Sequence, residues 1–327
     1  MSDKRKSDHI DLTFSSRPDD LSMPSHMYYE PLLSGHPKGG EAATEFLGHK
    51  LSMPLWISSM TGGTLRAKKI NENLARACGE FQIGMGLGSC RSLLSSDDRL
   101  EDFDVRQYMG EAPLFTNFGV AQIEELIEQK ALDKILDVTS KLKADGVIIH
   151  VNPLQEWAQP EGDRFKRAPL ESIQKVCEVT DIPVIVKEVG QGMGPKSLNA
   201  LCQLPVSAIE LAAFGGTNFT LIEQARHDRE SSGRVAHKNR FGLVGHSPQQ
   251  MIQWLNSANA TKPIIISGGI TDPLQGHTLR CAYQGQSIVG MASEVLKYAM
   301  NDYQELRSFL VQLKEQFEMA TCFIEGE

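Results

Sequence analysis

Eight short apolar runs, each followed by a helical pattern, constrain this chain more than any other feature of it. They cover residues 55–60 (LWISSM), 83–88, 114–119, 146–152, 183–189, 208–213, 263–270 and 287–293. Strands buried on both faces of a parallel sheet read as continuous Val/Ile/Leu runs rather than as alternation. Helical periodicity fills the gaps, for example over residues 65–78, 121–143, 170–179 and 247–258. The spacing is close to the roughly 30 residues of one strand–helix unit. Eight such repeats predict a (β/α)8 TIM barrel. The competing doubly wound sheet needs a GxGxxG turn after its first strand, and SSMTGGT lacks that spacing. The rhythm is interrupted by an N-terminal extension of about 50 residues and by a long insertion between strands 6 and 7, read as a surface loop or lid. No second domain is indicated, so residues 1–327 are expected to form one barrel domain.

Composition narrows the class. The chain is 41% hydrophobic and 23% charged, with no biased tract and a net charge of −8, which argues against broad nucleic-acid binding. No apolar run approaches a membrane span, and the charged start MSDKRKSDHIDLTF has no signal-peptide core. Its six cysteines are scattered without CxxC spacing, so a zinc site or disulfide framework is not expected and a reducing cytoplasm is.

In such a barrel, chemistry gathers where the strands end. All eight ends here replace bulky apolar residues with polar or small ones. Gly268-Gly269-Ile270 after strand 7 and Gly290 to Ser293 after strand 8 expose backbone N–H groups suited to a phosphate, although a plain tight turn would by itself explain Gly268 and Gly269. Thr217 after strand 6 offers a hydroxyl to the same group. Lys187 stands inside the run VIVKEV, where an unpaired charge is costly. It calls either for a salt bridge to Glu188 or Glu210, or for an anionic ring at the barrel mouth. Asn117 and Ser89 offer neutral hydrogen bonds to the edge of such a ring. Phosphate loops, a lysine and amides together are the parts of a flavin mononucleotide barrel.

The fourth run ends in HVNPLQEWAQPEG. Its polar groups need partners: one another, water, a metal or a ligand. Glu156 has no second carboxylate beside it, which suits Mg2+ held by one carboxylate and substrate phosphates. Gln155 can orient a substrate but is no strong acid or base. His150 is a base by residue type, or else a satisfied interior histidine. An ordinary turn suffices for Gln159 and Glu161. Arg91, with its planar fork, is the better candidate for a diphosphate clamp, and the Arg5, Lys6, His9 run reads by itself as a basic tail.

The motifs RKSDHI, SSMTGG, GLGSCR, TNFG, HVNPLQE, QPEG, VIVKEVG, GGTNF and SGGI, in this order from Arg5 to about Ser293, resemble the type 2 isopentenyl-diphosphate isomerase family. The resemblance implies FMN as cofactor, NADPH as reductant and Mg2+ for an isoprenoid diphosphate substrate, in a tetramer or octamer. It places flavin contacts on Met60, Thr61, Gly62, Ser89, Asn117, Lys187, Thr217, Gly268, Gly269, Ile270, Ala292 and Ser293. It turns the basic tail into a clamp: Arg5, Lys6, Ser89 and Arg91 would hold the diphosphate, with His9, His150, Asn152 and Gln155 also facing substrate. Gln155 and Lys187 would be the catalytic pair, and Glu156 the metal ligand. Ser293 departs from the small residue, such as glycine, expected there. Two other readings remain: an FMN-dependent 2-hydroxy-acid oxidase resting on His246 or His150, and a non-catalytic phosphate-binding barrel.

Overall fold

The computed structural model describes residues 2–16, 24, 26–59, 62, 65–230 and 240–326. Its centre is a closed parallel barrel of eight strands. In chain order these are β1 (Leu55–Ile57), β2 (Gly84–Gly86), β3 (Leu114–Gly119), β4 (Gly146–His150), β5 (Val184–Lys187), β6 (Ala208–Glu210), β7 (Ile264–Ser267) and β8 (Ser287–Met291). Each lies inside one of the eight predicted runs. Closure is made by β8, which pairs with both β7 and β1.

The inside of the barrel is built from residues two apart, because side chains along a strand alternate faces. Its lower layer is apolar: Trp56, Phe115, Ile148, Ile185, Ala208, Ile265 and Ile288 pack as one cluster. Trp56 is fully buried, and its ring fills the space that a side chain on Gly84 would need, a Cβ there falling 2.3 Å from it. Truncating it to alanine would cost about 3–5 kcal/mol. Phe46 and Leu51, from the hairpin Thr44–Phe46/His49–Leu51, complete this cluster. The hairpin is fixed at the N-terminal ends of the strands, where Gln286 Nε2 donates to Glu45 O and the Ser52 N–H to Gln82 O.

Two residues further along each strand the layer changes character. Ser58, Gly86, Asn117, His150, Lys187, Glu210, Ser267 and Gly290 follow the apolar layer at the C-terminal mouth. An apolar plug below and a polar ring above define which end can do chemistry.

Helices cover the outside. Pro153, Pro169, Pro195, Pro248 and Pro273 each open one, where the missing N–H is no loss. The helix Pro248–Ser257 also has a capping box, Ser247 accepting from the Gln250 N–H while Gln250 accepts from the Ser247 N–H. The helix predicted over 121–143 is two helices, Val120–Glu128 and Asp133–Lys141, broken where Lys130 takes a φ of 55°. The segment expected as a loop or lid between strands 6 and 7 contains the helix Phe219–Glu230 and the short turn Arg240–Leu243. After the barrel, the long helix Tyr303–Phe323 leads into Ile324–Gly326, which pairs antiparallel with Met27–Tyr29. No described helix is long and apolar enough to cross a membrane.

Candidate active site

The polar ring is the floor of a cleft with two lobes. The first, about 300 Å3, lies over β6, β7, β8 and β1; the second, about 250 Å3, lies over β2 to β4. Ser59, Lys187, Val189 and Phe219 line both, so the lobes meet at the lysine.

The first lobe holds Thr217, Gly268, Gly269, Ile270, Ala292 and Ser293, all expected there. Its wall depends on close backbone approach. Gly268 and Gly269 have φ of 105° and 74°, and a Cβ on Gly268 would lie 2.1 Å from Ala213 O. Likewise a Cβ on Gly216 would lie 2.6 Å from the Gly269 nitrogen. Only glycines let these loops meet, leaving a concave surface lined by backbone. Ala212, also in this lobe, adopts a φ of 41°, a conformation disfavoured for a residue with a Cβ.

Lys187 is buried, and its ammonium donates to the Glu188 carbonyl oxygen at 2.7 Å. Among the described residues it forms no salt bridge. The Glu188 carboxylate is occupied otherwise: its Oε2 accepts the N–H groups of Gly190, Gln191 and Gly192 at 2.7, 2.6 and 3.1 Å. Burial nevertheless holds its pKa above the usual carboxylate range, against these hydrogen bonds and the Lys187 charge. The simple Lys187–Glu188 ion pair is therefore not what the lysine is for.

The second lobe gathers Ser89, Arg91, Asn117, His150, Asn152, Gln155 and Glu156. His150 Nδ1 lies 2.8 Å from Asn117 Oδ1. Burial, reinforced by the Lys187 charge, pushes its pKa down to about 3 and keeps the ring neutral. Asn152 Nδ2 donates to Gln155 Oε1 at 3.1 Å and to Glu156 Oε1 at 3.0 Å, while its own Oδ1 is buried without a partner among the described residues. Glu156 Oε2 accepts the Asp163 N–H at 2.8 Å.

Two residues that the sequence did not single out support this lobe, Gln122 in its lining and Asp163 behind it. Asp163 Oδ2 accepts from Arg91 Nη1 at 2.9 Å and from Gln122 Nε2 at 3.1 Å. Asp163 thus ties the predicted clamp to the loop behind Glu156. Its place just after the QPEG turn was the available signal; Gln122 carried none.

This arrangement can bind an anion through backbone at one end, a planar group at the lysine, and a second ligand against amides and one carboxylate at the other end. The comparisons with known proteins bear on which. No family model matches the chain. It is 33% identical over 319 residues to the isopentenyl-diphosphate delta-isomerase of Rickettsia peacockii (strain Rustic), covering 95% of this chain and 91% of that protein. The enzyme of the same name from Rickettsia akari (strain Hartford) is 36% identical over 259 residues, covering 79% of this chain and 74% of that one. This chain belongs to the isopentenyl-diphosphate delta-isomerase family.

Solved structures show the same fold at much lower identity. A mandelate oxidase variant with (S)-mandelic acid superposes with a TM-score of 0.59 at 14% identity, covering 90% of this chain and 81% of that one. A flavocytochrome b2 variant with sulfite bound gives 0.60 at 15%, covering 90% and 71%.

The remaining residues expected of the family's site divide three ways. Gly62 packs on the Gly88–Ser89 backbone, where a Cβ would sit 2.9 Å from Ser89 O. Met60 and Thr61 lie outside the described residues. Arg5, Lys6 and His9 are on the exposed helix Ser2–Leu12 and do not line the cleft. His246 does not line it either; its ring packs edge-on against Trp254 with centroids 4.9 Å apart.

The residues fit a flavin nucleotide. The glycine wall would be filled by any added Cβ, and the buried hydroxyls of Ser58 and Ser59 in the first lobe have no partner among the described residues. For a metal the fit is one ligand deep. No group of three or more His, Cys, Asp or Glu side chains that could hold an ion occurs among the described residues. Both Glu156 oxygens already accept one hydrogen bond, and each keeps a second lone pair.

Proposed function

We propose that this chain is a type 2 isomerase that interconverts isopentenyl and dimethylallyl diphosphate, with FMN as cofactor, NADPH as reductant and Mg2+ on the substrate diphosphate. One observation carries the reading: a backbone cradle and an amide-lined lobe share Lys187, so a ring held at the lysine faces both. Reduced FMN, when bound, supplies proton transfer at a carbon–carbon double bond, chemistry that no side chain in the second lobe offers.

The chain's own residues bind and orient. Met60, Thr61, Gly62, Ser89, Asn117 and Lys187 would hold the ring; Thr217, Gly268, Gly269, Ile270, Ala292 and Ser293 would hold its phosphate. The buried ammonium of Lys187 stabilises negative charge on the ring edge beside it, an effect strengthened by low dielectric. Gln155 is neutral and orients the alkene. Arg91, Arg5 and Lys6 neutralise the diphosphate, with His9, Ser89, His150 and Asn152 contributing polar contacts. Glu156 would hold Mg2+ beside the substrate diphosphate, where the ion would neutralise its charge. Binding energy from the diphosphate then positions the double bond for reaction. The same reading takes residues 1–327 as one barrel domain of a cytoplasmic homo-oligomer, tetramer or octamer.

The oxidase alternative lacks support of its own. Its base would have to be His246, which packs on Trp254 outside the cleft, or His150, held neutral with a pKa of about 3. The test is anaerobic turnover of isopentenyl diphosphate in deuterated water, followed by NMR with FMN, NADPH and Mg2+. Labelled dimethylallyl diphosphate that disappears when reductant or Mg2+ is omitted supports the reading. A flavin-loaded protein that gives neither product nor exchange overturns it.

A further inference from the structure

Glu210 ends β6 directly opposite Lys187 on β5, the two being register partners. Both are buried, at 1% and 6% exposure, and both line the first lobe. They nevertheless do not pair. Lys187 Nζ is turned to the Glu188 carbonyl, while Glu210 Oε1 accepts from Ser267 Oγ at 3.2 Å. Ser267 Oγ in turn accepts the Ala212 N–H at 2.9 Å, so this side of the carboxylate is fixed from behind. Among the described residues Glu210 Oε2 has no hydrogen-bond partner, and neither does Ser58 Oγ in the same lobe.

An ionised carboxylate only accepts, and burying one oxygen without a donor is unfavourable. A position that keeps such an atom in a cleft selects a ligand that brings donors to it. Where Glu210 stands says which part of the ligand that is. Its strand lies between β5, which carries Lys187, and β7, which leads into the Gly268–Gly269 wall. A ligand with a ring at the lysine and a phosphate at the glycines must thread its linking segment past β6. In FMN that segment is a chain of hydroxyls, each a donor.

We propose that Glu210 Oε2, supported by Ser58 Oγ, is the recognition point for the polyol chain of the cofactor, making Glu210 a specificity residue for flavins that carry a hydroxylated side chain. The assignment rests on the FMN reading above and goes beyond it, since that reading uses only the ring and phosphate ends.

The test uses the full chain, freed of flavin and titrated with FMN, riboflavin and lumiflavin, whose ring carries neither polyol nor phosphate. Fluorescence quenching reports affinity, and circular dichroism confirms folding. Glu210→Gln retains the oxygen that Ser267 needs but puts an amide N–H2 where the free acceptor was; Glu210→Ala removes both. Both variants are expected to weaken FMN and riboflavin binding by a similar factor, about tenfold or more, and to leave lumiflavin within about twofold. Equal loss for all three flavins would overturn the proposal, because Glu210 would then act on the ring or through Lys187. No loss for any of them would overturn it as well, as would lumiflavin that binds neither the parent chain nor the variants. A parent chain that binds no flavin at all would instead overturn the FMN reading, and this assignment with it.

Discussion

His150 Nδ1 lies 2.8 Å from Asn117 Oδ1, two side chains from adjacent strands of the polar ring. An amide oxygen can only accept, so Nδ1 carries the proton and the lone pair is on Nε2. The Nε2 end faces Gly119 and Gln122: a Cβ on Gly119 would lie 2.8 Å from it and 2.4 Å from Gln122 Oε1. His150 is thus a neutral, oriented acceptor in the lobe, with Asn117 turned so that its amide nitrogen is available to a ligand.

The low pKa of His150 makes stability depend on pH in a defined window. The folded chain keeps the ring neutral down to about pH 3, whereas the unfolded chain protonates it near 6.5. Between those values the unfolded state binds the extra proton. Stability from this group is therefore fully present above 6.5 and is lost as pH falls toward 3, with a slope of at most about 1.4 kcal/mol per pH unit. Urea unfolding of the parent chain and of His150→Asn across that window should give a flatter curve for the variant. An identical slope in both would place the effect elsewhere.

Gln155 offers a separation of binding from turnover. In Gln155→Ala, Asn152 Nδ2 loses one acceptor at 3.1 Å but keeps Glu156 Oε1 at 3.0 Å, so the start of the helix Pro153–Ala158 survives. Turnover should fall about 100-fold while flavin affinity stays within about twofold, because only alignment of the substrate is lost. Loss of flavin with normal turnover per bound flavin would contradict this role.

Asp163 holds Arg91 from a position that touches no expected ligand. The pair is half-exposed, so Asp163→Ala should cost less than about 1 kcal/mol of stability. Its effect should show in KM for the diphosphate, raised about tenfold as Arg91 loses its orientation, with a smaller change in kcat. Steady-state kinetics at saturating FMN separate the two. A fall in kcat alone would mean that losing the Asp163 side chain shifts the loop whose backbone N–H holds Glu156, rather than acting on the arginine.

What the sequence revealed follows from where order is local. The eight strands were legible because burial on both faces makes each a continuous apolar run, and the residues after them marked the mouth. The break at Lys130 was not legible, since EQKALDK contains neither glycine nor proline, yet Lys130 takes the left-handed C-cap position in which the Lys130 and Ala131 N–H groups donate to Ile127 O and Leu126 O. The helix Phe219–Glu230 was hidden by its charge: FTLIEQARHDRE has no strong apolar stripe. Asp163 and Gln122 meet across 41 residues of chain, and no local pattern encodes such a contact. Glu210 was visible only as a possible partner for Lys187, because register places the two residues opposite each other but does not say that their charges turn apart.

The glycine wall yields the sharpest test of what the first lobe holds. A methyl group on Gly268 would collide with Ala213 at both its oxygen, 2.1 Å away, and its nitrogen, 2.4 Å away, in a backbone conformation of φ 105°. Relief requires the loop after β7 to move off the one after β6, breaking the bond from the Ala213 N–H to Ser267 O at 2.8 Å. The strain itself should cost about 1–3 kcal/mol. The geometry it damages is the backbone surface assigned to phosphate, while Lys187 and Asn117 are on other strands and remain in place. Gly268→Ala should therefore lower affinity for FMN about tenfold more than for riboflavin, which has no phosphate. Gly35→Ala, with open space around its Cβ, is the control and should change neither. Because Glu210→Gln is expected to weaken both flavins alike, the two substitutions divide the ligand at the phosphate. An equal loss of FMN and riboflavin in Gly268→Ala would show that the wall shapes the lobe without binding the anion.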